Sequence, residues 1–151
     1  MFKIFYEDIE VGHKDTFGNY PVTKEEIIDF ASKYDPQPFH LHEDFAKQSV
    51  FGGLCASGWH TCSMMMRMMV DRMMENGLAG LGSPGLDTVA WKRPVFPGDT
   101  LSVCSTITEK RVSKSRPNMG LVKAAHEVLN QDGIVVTEVH SNLMVARRKG
   151  A

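Results

Sequence analysis

The run from Trp59 to Glu75 constrains the fold more than any other stretch. Trp59, Cys62, Met66, Met69, Val70 and Met73 keep helical spacing, and Met64, Met65, Met68 and Met74 fill most of the other faces. Apolar residues recurring at i, i+3, i+4 and i+7 mark one face of a helix. A helix apolar nearly all round is normally buried within a domain. Ser57-Gly58 opens it, and Ser is a good N-cap; Asn76-Gly77 closes it with a stop signal. Arg67, Asp71 and Arg72 interrupt the run. It is also shorter than the ~20 apolar residues that span a bilayer. The spacing therefore predicts one buried helix near residues 58–76, with its methionines as core packing, because Met fills irregular interiors.

Such a helix needs a cover, and the last third of the chain supplies strands. Leu86 to Arg93 reads as one strand, and Pro94-Val95-Phe96-Pro97-Gly98-Asp99 as a turn cluster. Leu101, Val103 and Ile107 mark a strand continuing to Val112. Ser115-Arg116-Pro117-Asn118 turns the chain, Leu121 to Leu129 follows, Asp132-Gly133 is a hairpin signal, and Ile134 to Val145 returns. Consecutive strands joined by short turns form an antiparallel meander. The reading is α+β layers, with an antiparallel sheet of at least four strands wrapped over the one long helix. The glycine-rich segment 77–85 reads as a loop. Its Gly80-Leu81-Gly82-Ser83-Pro84-Gly85 string is rejected as a dinucleotide fingerprint, which needs a strand before it and a helix after it.

Towards the N-terminus, residues 1–22 read as extended pieces broken by Gly12 and Gly18. A helix start follows. Thr23 and Glu26 have capping-box spacing, and Val22 and Ile27 that of a hydrophobic staple. Ile27, Phe30, Ala31 and Tyr34 form an apolar face, and Pro36 steers Asp35 out of the helical region, so the helix ends there. A second short helix is predicted over Glu43 to Lys47.

Composition narrows the partners. The chain has 151 residues, 42% hydrophobic and 23% charged, as in an ordinary globular protein of one domain, 1–151. A net charge of -1 without a long Lys/Arg block argues against nucleic acid or a membrane surface. Three cysteines, Cys55, Cys62 and Cys104, without a metal-type CxxC pair fit a reducing, cytoplasmic compartment. Met1 to Asp8 carries early acids and no cleavable apolar core, so no secretory signal is expected.

The chemistry concentrates between Tyr34 and His60. Pro36 and Pro38 stiffen the backbone, so Asp35 and His40 are expected on a rigid loop. A carboxylate and an imidazole in fixed placement are what acid–base chemistry asks of its two partners. Behind them, Ser57-Gly58 opens the long helix, whose first N–H groups have no intrahelical acceptor and can hold developing negative charge. His40, His42 and His60 do not have metal-ligand spacing: residues i and i+2 on an extended segment point apart, and no third ligand is suitably placed. No metal is expected. Cys55 and Cys62 read as buried small hydrophobes rather than nucleophiles. Lys110, Arg111, Lys114 and Arg116 read as a solvated basic face.

Asp35-Pro36-Gln37-Pro38-Phe39-His40, with Phe51-Gly52-Gly53 and Ala56-Ser57-Gly58 behind it, resembles the MaoC-like dehydratases, the (R)-specific enoyl-CoA hydratases. Trp91-Lys92-Arg93-Pro94-Val95-Phe96-Pro97-Gly98-Asp99-Thr100, Ser113-Lys114-Ser115-Arg116-Pro117 and Asn130-Gln131-Asp132-Gly133 extend the resemblance over about residues 6–147. It implies a hot-dog fold, with a curved antiparallel sheet wrapped around one long central helix, a homodimer or higher homo-oligomer, and water added across, or removed to form, the trans-2 double bond of an acyl-CoA thioester. No separate cofactor is implied, because the CoA belongs to the substrate. In the resemblance Asp35 and His40 match the catalytic pair, Gly58 the backbone donor to the thioester oxygen, and Ser57 a neighbouring polar residue that orders the substrate site. The family usually carries Asn where this chain has Gln37. The longer amide either supports Asp35 or His40 or narrows the acyl site. The first is expected, because an unpaired polar group in an apolar pocket is costly. Two other readings compete: a hot-dog acyl-CoA thioesterase, and a non-catalytic acyl-CoA-binding module. The same resemblance leaves methionines lining an acyl pocket, and basic residues holding CoA phosphates, as minor alternatives.

Overall fold

The computed structural model describes Met1–Ala151 in full. A 3-10 turn at Tyr6–Asp8 leads into strand β1, Lys14–Pro21, and helix α1, Lys24–Tyr34. Two short helices follow, α2 at Pro38–Leu41 and α3 at Glu43–Lys47, and then the long helix α4, Gly58–Asn76. Strands β2, Gly80–Trp91, β3, Thr100–Val112, β4, Met119–Leu129, and β5, Val135–Ala146, complete the chain.

The sheet has five strands in the order β1-β3-β4-β5-β2, all neighbours antiparallel. The predicted meander is β3-β4-β5, with Ser102 opposite Leu129 and Leu129 opposite Val135. Its last turn follows the Asn130-Gln131-Asp132-Gly133 signal: the Asn130 side-chain oxygen accepts from the Asp132 and Ile134 N–H groups, and Gly133 takes φ 72°. Only a residue without a Cβ adopts that conformation readily.

Helix α4 lies on the concave face. Met64, Met65, Met68 and Met69 pack with Leu101, Val103, Val128, Val136 and Val139 of the sheet and with Val22, Ile27 and Leu54. Strand β1 crosses so close that a Cβ on Gly18 would lie 2.4 Å from Met68 Sδ. Burial at this scale, about 25 cal/mol per Å² of apolar surface, stabilises the layer pair.

Three expectations need correction. The helix is not buried all round. Trp59, Met66, Val70 and Met74 are 60%, 48%, 42% and 77% exposed, because one sheet covers only one side of it. Residues 77–85 are not simply a loop: β2 begins at Gly80 and pairs with Val145. Glycine-rich sequence hides the strand, since Gly has no side chain with which to announce a face. The segment after Asp35 is not merely a stiff loop, because Pro38 occupies the first turn of α2, where its missing N–H costs nothing. No helix is long and apolar enough to cross a membrane.

Candidate active site

Helix α1 ends as its sequence dictates. Thr23 Oγ1 accepts from the Glu26 N–H at 3.2 Å, and Val22 and Ile27 are buried in the same cluster, so the cap and staple form. The reciprocal leg of the capping box does not. Glu26 instead accepts from Tyr20 Oη and faces His60 Nε2 at 3.0 Å, tying α1 to α4. At the other end the Asp35 N–H reaches Ala31 O at 2.9 Å, and Pro36 prevents another turn. The Gln37 N–H donates to Asp35 O at 2.8 Å and folds the chain back into α2. His40 is thereby swung beside Asp35.

The two predicted residues meet. His40 Nε2 lies 3.4 Å from Asp35 Oδ2, with both side chains largely buried. The other ring nitrogen, Nδ1, is 2.6 Å from Cys55 O. A carbonyl oxygen can only accept, so Nδ1 carries a hydrogen and Nε2 is the nitrogen free for proton exchange. Phe39 meets the imidazole edge-on at 4.6 Å and itself packs on Phe51. The ring is held by one hydrogen bond and an aromatic wall.

Asp35 is held from both oxygens. Gln37 Nε2 donates to Oδ1 at 2.6 Å and Ser57 Oγ donates to Oδ2 at 2.7 Å. Burial pushes this carboxyl upward, but the hydrogen bonds from Gln37 and Ser57 and the nearby His40 outweigh it, so it sits below the ordinary aspartate value. Asp35 is ionised at neutral pH. Gln37 therefore supports the carboxylate.

Ser57 occupies the N-cap of α4, but its side chain does not cap the helix. Its hydroxyl is spent on Asp35. The N–H groups of Gly58, Trp59 and His60 consequently make no hydrogen bond, while Thr61 N closes onto Ser57 O at 3.0 Å. Uncapped donors at the positive end of a helix form a ready seat for negative charge. Gly58 and Ser57 thus stand one peptide apart, the first offering a free N–H and the second bonded to the carboxylate.

No three His, Cys, Asp or Glu side chains converge as a metal site. Burial pushes the Cys55 thiol up to about 11, and its sulfur lies 3.8 Å from His40 Nδ1, the nitrogen already committed to Cys55 O. Sequence reasoning missed two participants. The Tyr20–Glu26–His60 tie was hidden by the capping-box signal, which explained Glu26 too soon. Trp91 donates Nε1–H to Gly58 O at 2.9 Å from a distant strand, and no local pattern signals it.

A curved antiparallel sheet wrapped around a single helix, with an acid–imidazole pair at the helix N-terminus, is the hot-dog class of protein. Residues 10–129 match the family model described as MaoC like domain, and the chain belongs to that family. A MaoC-like dehydratase from Rhodospirillum rubrum is 39% identical, with TM-score 0.87, covering 97% of this chain and 99% of that one. The uncharacterised protein YdeM of Bacillus subtilis (strain 168) is 24% identical over 144 residues, 93% of this chain and 98% of its own. A 3-hydroxybutyryl-CoA dehydratase of Methylorubrum extorquens is 23% identical over 137 residues, 90% of this chain and 84% of its own.

Proposed function

We propose that the protein hydrates a trans-2 enoyl-CoA thioester, or dehydrates the corresponding 3-hydroxyacyl-CoA, with Asp35 and His40 as the catalytic pair. The observation that carries this reading is the opposed geometry of the pair. Asp35 Oδ2 and His40 Nε2 lie 3.4 Å apart, and the hydrogen of His40 is held on the far nitrogen by Cys55 O. With a neutral imidazole, two acceptors face one another. A water molecule answers both by donating one hydrogen to each.

In the hydration direction that water attacks the β-carbon. One of its protons passes to the pair and is returned to the α-carbon, so the atoms of one water are added across the double bond. The electrons pushed out of the double bond collect on the thioester oxygen. The N–H of Gly58, uncapped at the start of α4, is the donor that stabilises this oxyanion. Ser57 and Gln37 keep the carboxylate ionised and oriented. A thioesterase reading needs the carboxylate directed at the carbonyl carbon, whereas here it shares its open side with an imidazole. The relationship to a 3-hydroxybutyryl-CoA dehydratase supports a CoA ester as the substrate class.

The working unit is a homodimer. Strand β2 is a long free edge of the sheet, and the exposed stripe Trp59, Met66, Val70 and Met74 lies on the one helix face that the sheet leaves bare. Unpaired edges and apolar stripes call for a partner surface. Sedimentation at micromolar concentration is expected to show a dimer, and monomer alone would remove this element.

Absorbance of the conjugated enone, followed beside a thiol reagent in one cuvette, tests the activity. With crotonyl-CoA the expected result is loss of enone absorbance without thiol release. Thiol release would favour the thioesterase, and no change with any enoyl-CoA would favour a binding module.

A further inference from the structure

Gly58 is an unpromising residue on which to hang an oxyanion donor. Glycine has more backbone freedom to lose than any other residue, and helix ends fray. The side chain that would ordinarily cap this turn, Ser57, is engaged with Asp35. Something else must fix Gly58.

Trp91, the last residue of β2, reaches it. The indole Nε1–H donates to Gly58 O at 2.9 Å. The ring occupies the space a side chain would need, since a Cβ on Gly58 would lie 2.5 Å from Trp91 Cε2 and 2.6 Å from Nε1. Trp59 braces the indole edge-on, with centroids 5.1 Å apart at 77°. The absence of a side chain at position 58 is therefore what admits the ring, and the ring holds the backbone that the missing cap leaves free.

We propose that Trp91 is a positioning residue which holds the Gly58 carbonyl and with it the first turn of α4, so that the Gly58 N–H, across the same Cα, is aligned before the thioester oxygen becomes charged. This rests on the hydratase reading for its chemical purpose, and on the Trp91–Gly58 contact for its mechanics. A donor contributes to a transition state only if it is already in place, and misplacement of about 1 Å can cost about 100-fold.

The test is Trp91→Phe, which keeps an aromatic ring and removes the N–H, read by two methods. Amide hydrogen exchange is expected to quicken about tenfold or more at Thr61, whose N–H closes the first turn of α4 onto Ser57 O. With crotonyl-CoA, kcat is expected to fall about tenfold or more while KM stays within about threefold, since the lost alignment matters mainly in the transition state. Gly58→Ala provides the second variant, because its Cβ expels the ring. It is expected to reproduce the Trp91→Phe kinetics, and the double variant to be no slower than the worse single. Unchanged exchange and kcat in Trp91→Phe, or a loss confined to KM, overturns the proposal. A wild type inert on every enoyl-CoA overturns the hydratase reading instead. Exchange then decides the mechanics alone: unchanged protection in Trp91→Phe overturns the clamp, and lost protection upholds it.

Discussion

Two buried histidines set the proposed reactive site against a structural one. His40 and His126 are 5% and 4% exposed, and each makes short hydrogen bonds. His126 spans the middle of the sheet. Its Nδ1 is 2.6 Å from Ser105 Oγ on β3 and its Nε2 2.7 Å from Ser141 Oγ on β5. These residues stand two positions from Val103, Val128 and Val139, so they share the face that packs on α4. Both nitrogens are spent on neutral hydroxyls, which can rotate to donate to one nitrogen and accept from the other. His40 spends one nitrogen on a carbonyl and keeps the second beside an ionised carboxylate. Burial is common to both. The unspent nitrogen and the adjacent charge are what fit the first for the proposed chemistry.

Removing each ring sharpens the contrast most. His40→Ala is expected to lower kcat by about 10²–10⁴-fold while the far-ultraviolet circular dichroism stays native. His126→Ala is expected to leave kcat within about threefold, yet to cost about 2–3 kcal/mol in urea unfolding, because a buried ring is lost and two half-buried serines lose their partner. Equal losses of turnover in the two variants would erase the distinction.

Acid exposes the same difference in stability. Burial, with the nearby His140 adding to it, pushes His126 down to about 4 from 6.5. A base whose folded value is depressed takes up protons more readily when unfolded. Its contribution is therefore complete above about pH 6.5 and is lost as pH falls towards about 4, at up to about 1.4 kcal/mol per unit. Asp35, held low, loses its contribution only as pH falls further, below the ordinary aspartate range. Unfolding free energy is expected to decline between pH 6.5 and 5 in the wild type, and less steeply in His126→Gln at matched protein concentration.

Gln37→Asn should have the smallest effect. The shorter amide weakens the hydrogen bond that Gln37 Nε2 makes to Asp35 Oδ1, but the Ser57 hydroxyl remains. Steady-state kinetics on short enoyl-CoAs should show a change below about tenfold, or about 1.4 kcal/mol of barrier, with the reaction type unaltered. Hydration appearing only in the Asn variant would contradict this.

Much of this contrast is legible in the sequence, but unevenly. Thr23 acts through a cap bond to the Glu26 N–H, and Pro36 and Pro38 through local backbone sterics, so the ends of α1 and the placement of Asp35 follow from a few adjacent residues. Glu43–Lys47 and the β3-β4-β5 meander carry equally local signals. The Ser105–His126–Ser141 ladder depends on strand register, which joins residues far apart in the chain. Trp91 on Gly58 is likewise a long-range contact. The bare stripe from Trp59 to Met74 was hidden by its own hydrophobicity, since apolar residues look alike whether their own sheet covers them or another surface does. Ser57 shows a local rule overridden: a good N-cap by type, it serves the carboxylate of Asp35 instead.

The central claim is that Asp35 and His40 act on one water as a unit. Turnover of crotonyl-CoA by Asp35→Asn, His40→Ala and the double variant tests it most directly. Groups that work on the same molecule are grossly non-additive. The account predicts that each single variant loses about 10²–10⁴-fold and that the double variant falls no more than about threefold below the worse single. Losses that multiply, or near-normal turnover in either single variant, would contradict it.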